Sequence, residues 1–66
     1  VYKVIELVGT SETSWEEAAK AAVDRASESL SDLRIAEVIS QDLKIDNGKV
    51  TGYRTRLNVS FKFKGS

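Results

Sequence analysis

The side chains able to do chemistry here are carboxylates, guanidiniums and hydroxyls, because the chain has no His and no Cys. That removes a thiolate nucleophile, an imidazole base, disulfides and the usual zinc ligands. Glu16 and Glu17 could be imagined as an acid/base pair. Adjacent helix residues face apart, however, and capping and the helix dipole account for both. Carboxylates also bind hard cations such as calcium. Asp42 and Asp46, with Asn47, offer oxygen ligands, but four strand positions put the two carboxylates ~13 Å apart, too far to share one ion. EF-hand spacing is absent. Symmetry could gather one carboxylate from each of several subunits, and Glu16, Asp32 or Asp42 would serve equally, so metal ligands stay unassigned. Gly9-Thr10-Ser11 lacks the Gly spacing and the Lys of a phosphate loop. Arg54 and Arg56 suit an anion or phosphate site for a nucleotide-like ligand. They suit equally well ion pairs between subunits, for example Arg56 with Glu37.

Ten basic and ten acidic residues cancel, which argues against a nucleic-acid binder working by phosphate neutralisation. Charge is nevertheless segregated. Residues 49–64 hold five bases and no acid, whereas 12–32 hold six acids against Lys20 and Arg25. The two stretches are either partners across subunits or two solvated faces. No apolar run approaches the roughly 20 residues of a membrane span, so a cytoplasmic location without a membrane partner is expected. With 66 residues, one domain over 1–66 is expected. A domain this small is marginal alone, and with disulfides and zinc removed, oligomerisation is the main support left open.

The elements that position these residues follow a β-α-β-β order. Val1 to Gly9 reads as a strand rich in β-formers, ended by Gly9-Thr10-Ser11. Ser14 and Glu17 form an S-x-x-E capping box for a helix. Trp15, Ala18, Ala19, Ala22, Val23, Ala26 and Leu30 share its apolar face, with Lys20, Asp24 and Glu28 opposite. From Leu33 to Ile45 the period is two, placing Ile35, Glu37, Ile39, Gln41, Leu43 and Ile45 on one face. Asp46-Asn47-Gly48-Lys49 is a type I′ hairpin signal, and the last strand runs from Lys49 to about Lys64, with Gly52 as a candidate bulge. A two-residue turn sets Asp46 opposite Lys49, Ala36 opposite Val59 and Val38 opposite Leu57. The helical crossover makes strands one and two parallel. An α+β fold follows: a three-stranded sheet of order 2-3-1 around one helix.

Two features point beyond a monomer. The hairpin strands far exceed the usual 5 to 6 residues, giving an arm of about 40 Å that one short helix cannot cover. The row Ile35, Ile39, Leu43 and Ile45 would also lie bare on the face away from the helix unless a second subunit covered it.

Over nearly its whole length the chain resembles the dodecins. The likeness rests on Val1-Tyr2-Lys3-Val4-Ile5-Glu6-Leu7-Val8-Gly9-Thr10-Ser11, on Asp24-Arg25-Ala26 within an Ala-rich helix, and on Ala36-Glu37-Val38-Ile39. It includes Tyr53-Arg54-Thr55 and Val59-Ser60-Phe61 as well. It implies the same β-α-β-β fold, a hollow homo-dodecamer of cubic symmetry, and in many members flavins (riboflavin, FMN or FAD) bound in pairs at subunit contacts. In flavin-binding members a Trp just before the Ala-Glu-Val stretch stacks on the ring, and a Gln after the Tyr bonds its edge. Ile35 and Arg54 stand at those positions here. Ile offers no π face and Arg no acceptor. The resemblance is to the sub-group lacking the stacking aromatic, among which a calcium-binding type is known. Cofactor contacts are therefore expected at Ile35 and Arg54, with Gln41 and Arg56 as neighbours. The expected function is non-catalytic: a dodecameric small-ligand or ion storage protein with weak or no flavin binding, calcium being a candidate ion. A flavin-storage protein and a purely structural shell are the alternatives.

Overall fold

The protein is described here by a computed structural model covering residues 1–62. The expected continuation of the last strand through Phe63 and Lys64 lies outside the described residues. Strand β1 spans Tyr2–Ser11, helix α1 Trp15–Ser27, strand β2 Leu33–Asp46 and strand β3 Lys49–Lys62. The sheet order is β1-β3-β2, with β3 antiparallel to both neighbours, as the helical crossover requires.

Local chemistry explains each boundary. The Ser14 hydroxyl accepts from the Glu17 amide at 3.1 Å, satisfying one orphan donor of the helix start. The Ser14 amide itself donates to Ser11 Oγ at 3.4 Å. Glu16 and Glu17 sit in the first turn and Arg25 in the last, both favourable to the macrodipole. Asp32 takes a positive φ of 59°, which a short polar side chain tolerates. Its carbonyl accepts from the Lys62 amide at 3.1 Å, tying the start of β2 to the end of β3. The hairpin turn has φ of 52° at Asn47 and 75° at Gly48, the two positive values a type I′ turn needs.

A Cβ at Gly48 would meet nothing within 4 Å, so any penalty for substitution there is backbone strain alone. Gly48→Val is expected to cost about 1–2 kcal/mol. Lys20→Ala, on the exposed side of α1, should stay within about 0.5 kcal/mol. Equal melting temperatures for the two variants would contradict the turn.

Gly9 does not end β1, as the sequence led us to expect. It lies inside the strand, paired with Thr55. It is buried because the helix backbone passes directly over it: an added Cβ would collide with the Ala18 carbonyl. The core is small, comprising Ala18, Ala22, Ala26, Leu57 and Val59, with Thr55 buried beside them. Ile5, Leu7, Ala19, Val23 and Leu33 pack around its rim. Thr55 satisfies its hydroxyl by donating to the Trp15 carbonyl at 3.1 Å.

The molecule is 50 Å long and only 19 by 14 Å across. A helix of 13 residues covers about 20 Å, so much of the hairpin arm extends past it.

Candidate functional site

The register of β2 on β3 decides which side chains meet. From the turn, Asp46 faces Lys49 and Ile45 faces Val50, as a two-residue loop dictates. Thr51 is then an extra residue on β3, beside the suspected Gly52, and Lys44 faces Gly52. Ile39 is a second extra residue, on β2, and restores the original register. The two bulges cancel, so Ala36 opposite Val59 and Val38 opposite Leu57 hold as expected. Arg34 is a third extra residue near the start of β2.

Between the first two bulges every pairing is displaced by one. Arg54 therefore faces Asp42 instead of Gln41, and Arg56 faces Ser40. The Asp42–Arg54 pair is bidentate: Arg54 Nε donates to Asp42 Oδ1 at 2.7 Å and Nη2 to Oδ2 at 2.8 Å. Hydrogen bonding to Arg54 holds the Asp42 carboxyl below its ordinary pKa, and the same bond raises that of Arg54. Arg56 reaches the other neighbouring strand, where its Nη1 meets Glu6 Oε1 at 3.3 Å. The partner suggested for it, Glu37, stands opposite Asn58. These partners were missed because a flat, unbulged ladder puts Gln41 against Arg54. The Gly52 bulge signal, followed through, would have moved Asp42 into place.

The bulge at Ile39 also redistributes the expected side-chain rows. Gln41 faces Thr55 and Leu43 faces Tyr53, which puts both on the helix side of the sheet. Ile35, Asp42, Arg54 and Arg56 lie on the far side. The single row Ile35, Ile39, Leu43, Ile45 is thus corrected to two patches. Ile35 joins Tyr2, Val4 and Val8 on the far side, while Leu43 and Ile45 join Val38 and Val50 on the helix side, beyond the helix. All of these side chains are exposed in the single chain, Ile35 at 67% and Ile45 at 61%. Both patches exceed the scattered apolar residues of an ordinary surface.

Ile35 and Arg54 share a face but not a site within one chain. Ile35 faces Ser60, six positions from Arg54 along β3, or ~20 Å. A ligand shorter than ~20 Å cannot touch both positions of one chain. Trp15 backs the Asp42 segment from the helix side. Its Nε1 donates to the Asp42 carbonyl at 3.1 Å, and its ring meets Tyr53 edge-on at 5.2 Å between centroids. Among the described residues no three Asp or Glu side chains converge on a point where they could hold a metal ion. Glu16, Asp32 and Asp42 accordingly form no such cluster within one chain. Also among the described residues, no helix is long and apolar enough to cross a membrane.

Comparison with known proteins settles the kinship. The dodecin family profile matches residues 1–64. This chain belongs to the dodecin family. Calcium dodecin of Mycobacterium tuberculosis is 57% identical over 65 residues, covering 97% of this chain and 90% of the relative. A crystal structure of that calcium dodecin, described as having a novel calcium-binding site, superposes with a TM-score of 0.88 at 55% identity, over 100% of this chain and 94% of the other. The dodecin of Streptomyces coelicolor superposes with a TM-score of 0.94 at 35% identity, again over 100% and 94%. Among dodecins, this one carries Ile35 and Arg54 at the positions that the sequence resemblance assigns to flavin contact, and its Arg54 is already engaged by Asp42.

Proposed function

We propose that this dodecin is a non-catalytic, cytoplasmic homo-dodecamer of single-domain subunits that binds calcium at contacts between subunits and binds flavins weakly. The observation that carries the reading is the 57% identity to a calcium dodecin over 97% of the chain. The geometry of the single subunit supports it. Oxygen ligands are plentiful but dispersed, so a site of 6 to 8 oxygens has to combine carboxylates, carbonyls and water from more than one subunit. The two bare apolar patches supply the drive to assemble.

The test is a calcium titration of chelator-stripped protein by calorimetry, paired with melting in calcium and in EDTA. Calcium that binds only the assembled form stabilises it, by about 2.7 kcal/mol at a hundredfold excess over Kd. Identical melting curves, with no heat of binding, would refute the calcium reading. Flavin binding is the second reading, favoured by the fold it shares with the dodecin family. Loss of ring stacking should cost about 1–3 kcal/mol, or roughly 5- to 150-fold in affinity. Fluorescence titration should show weak riboflavin binding by the native chain and a clear gain for Ile35→Trp, Arg54→Gln. Tight binding by the native chain, with quenched flavin emission, would install the second reading in place of the first.

A further inference from the structure

A groove of about 470 Å³ opens beside the Thr51 bulge, and Lys44, Arg54, Thr10 and Thr51 are among its lining residues. Two cations and the Thr10 hydroxyl are a donor set that a phosphate group takes, whereas the Thr51 hydroxyl already donates to Asp46 Oδ2 at 3.0 Å. Three carboxylates oppose them, Asp46 on Thr51 being one. Glu12 lines the groove, and Asp42 grips Arg54 through both of its oxygens. A carboxylate and a phosphate present the same pair of acceptors to a guanidinium fork, so Asp42 stands where a phosphate would bind Arg54.

We propose that Asp42 is a resident anion that closes a latent phosphate groove formed by Lys44, Arg54 and Thr10. Lys44 and Arg54 stand against Glu12, Asp42 and Asp46, so removing the Asp42 charge takes this set from one net negative charge to neutral and frees the Arg54 fork. Arg56 does not substitute, because Glu6 engages it from β1. The Asp42 main chain is held separately, through its carbonyl and the Trp15 indole. Replacing the side chain therefore removes the charge and leaves the strand in place. Asp42 is in this sense a specificity-determining residue: it turns this face of the assembly away from phosphate-bearing ligands. A latent phosphate groove does not depend on whether the assembly holds calcium.

Calorimetric titration with inorganic pyrophosphate tests this, using assembled native protein and Asp42→Asn at low ionic strength with chelator present throughout. Chelator excludes calcium bridging, so the outcome is separate from that of the calcium titration. Asp42→Asn should bind pyrophosphate at least about tenfold more tightly than native, the scale of one charge-assisted bond. Adding Arg54→Gln should abolish the gain. Asp42→Ser provides the same readout if Asn disturbs assembly. Three outcomes overturn the proposal: native protein that binds as tightly as the variant, an assembled variant that gains nothing, or a gain that survives Arg54→Gln.

Discussion

Replacing Gly9 with alanine is expected to destabilise this protein severely, whereas the same change at Gly52 should be nearly neutral. The added methyl at Gly9 would overlap the Ala18 carbonyl oxygen, sit 2.8 Å from the Ala18 carbonyl carbon and 3.0 Å from Ala22 Cβ. The first two obstacles are helix backbone, which cannot rotate away as a side chain does. The helix must lift: Ala22 would lose its packing against Leu57 and Val59, and the buried Ala18 and Ala26 would be uncovered. Overpacking alone costs about 1–3 kcal/mol, and lifting the helix adds to it, against a typical total of only 5–15 kcal/mol. At Gly52 the new Cβ would meet Ser11 O at 3.6 Å and Lys44 Cβ at 3.7 Å, both ordinary contacts. Alanine there removes the entropy cost of a strand glycine, about 0.5–1 kcal/mol. Thermal melting of the two variants decides the matter. If Gly9→Ala melts with native protein, the helix does not lie where we place it.

The second large effect is expected on dilution. A five-residue apolar core, most of it alanine, cannot by itself offset the ordering of a chain this size. Folding should therefore be coupled to burial of the Ile35 patch and the Val38–Leu43–Ile45 patch between subunits. For a dodecamer, each tenfold dilution lowers stability by about 1.2 kcal/mol per subunit. In a domain this small that shifts the midpoint by roughly 5–10 °C. Melting across two decades of concentration measures it. Ile35→Asp sharpens the test. On an isolated subunit this 67% exposed position tolerates a charge within about 0.5 kcal/mol. Inside an assembly the same charge is buried without a partner and should cost several kcal/mol. A variant of unchanged particle size and unchanged melting would show that the patch stays in water.

The sequence by itself determined the elements and their order. The Ser14 cap, the Ala-rich stripe and the Asn47-Gly48 turn are encoded by neighbours a few residues apart, where sterics and hydrogen bonding act locally. The turn fixed the pairing of Asp46 with Lys49 and of Ile45 with Val50, and the crossover fixed the strand order. Tertiary structure alone decided the rest. Whether a strand accommodates an extra residue depends on the pleat, twist and packing of its partner, so Ile39 does not announce itself as a bulge, and Gly52 flags the irregularity at Thr51 without fixing its register. Ile39 and Thr51 displace one stretch of ladder by a single step. That step carries Gln41 and Leu43 to the helix side and sets Asp42 on Arg54. The candidate site is thus a consequence of register, which period-two alternation cannot reveal, because a one-residue slip changes every partner and every face at once. Gly9 follows the same logic. In sequence it reads as the end of a strand; only the helix backbone lying across it shows that a missing Cβ is what lets the two elements meet.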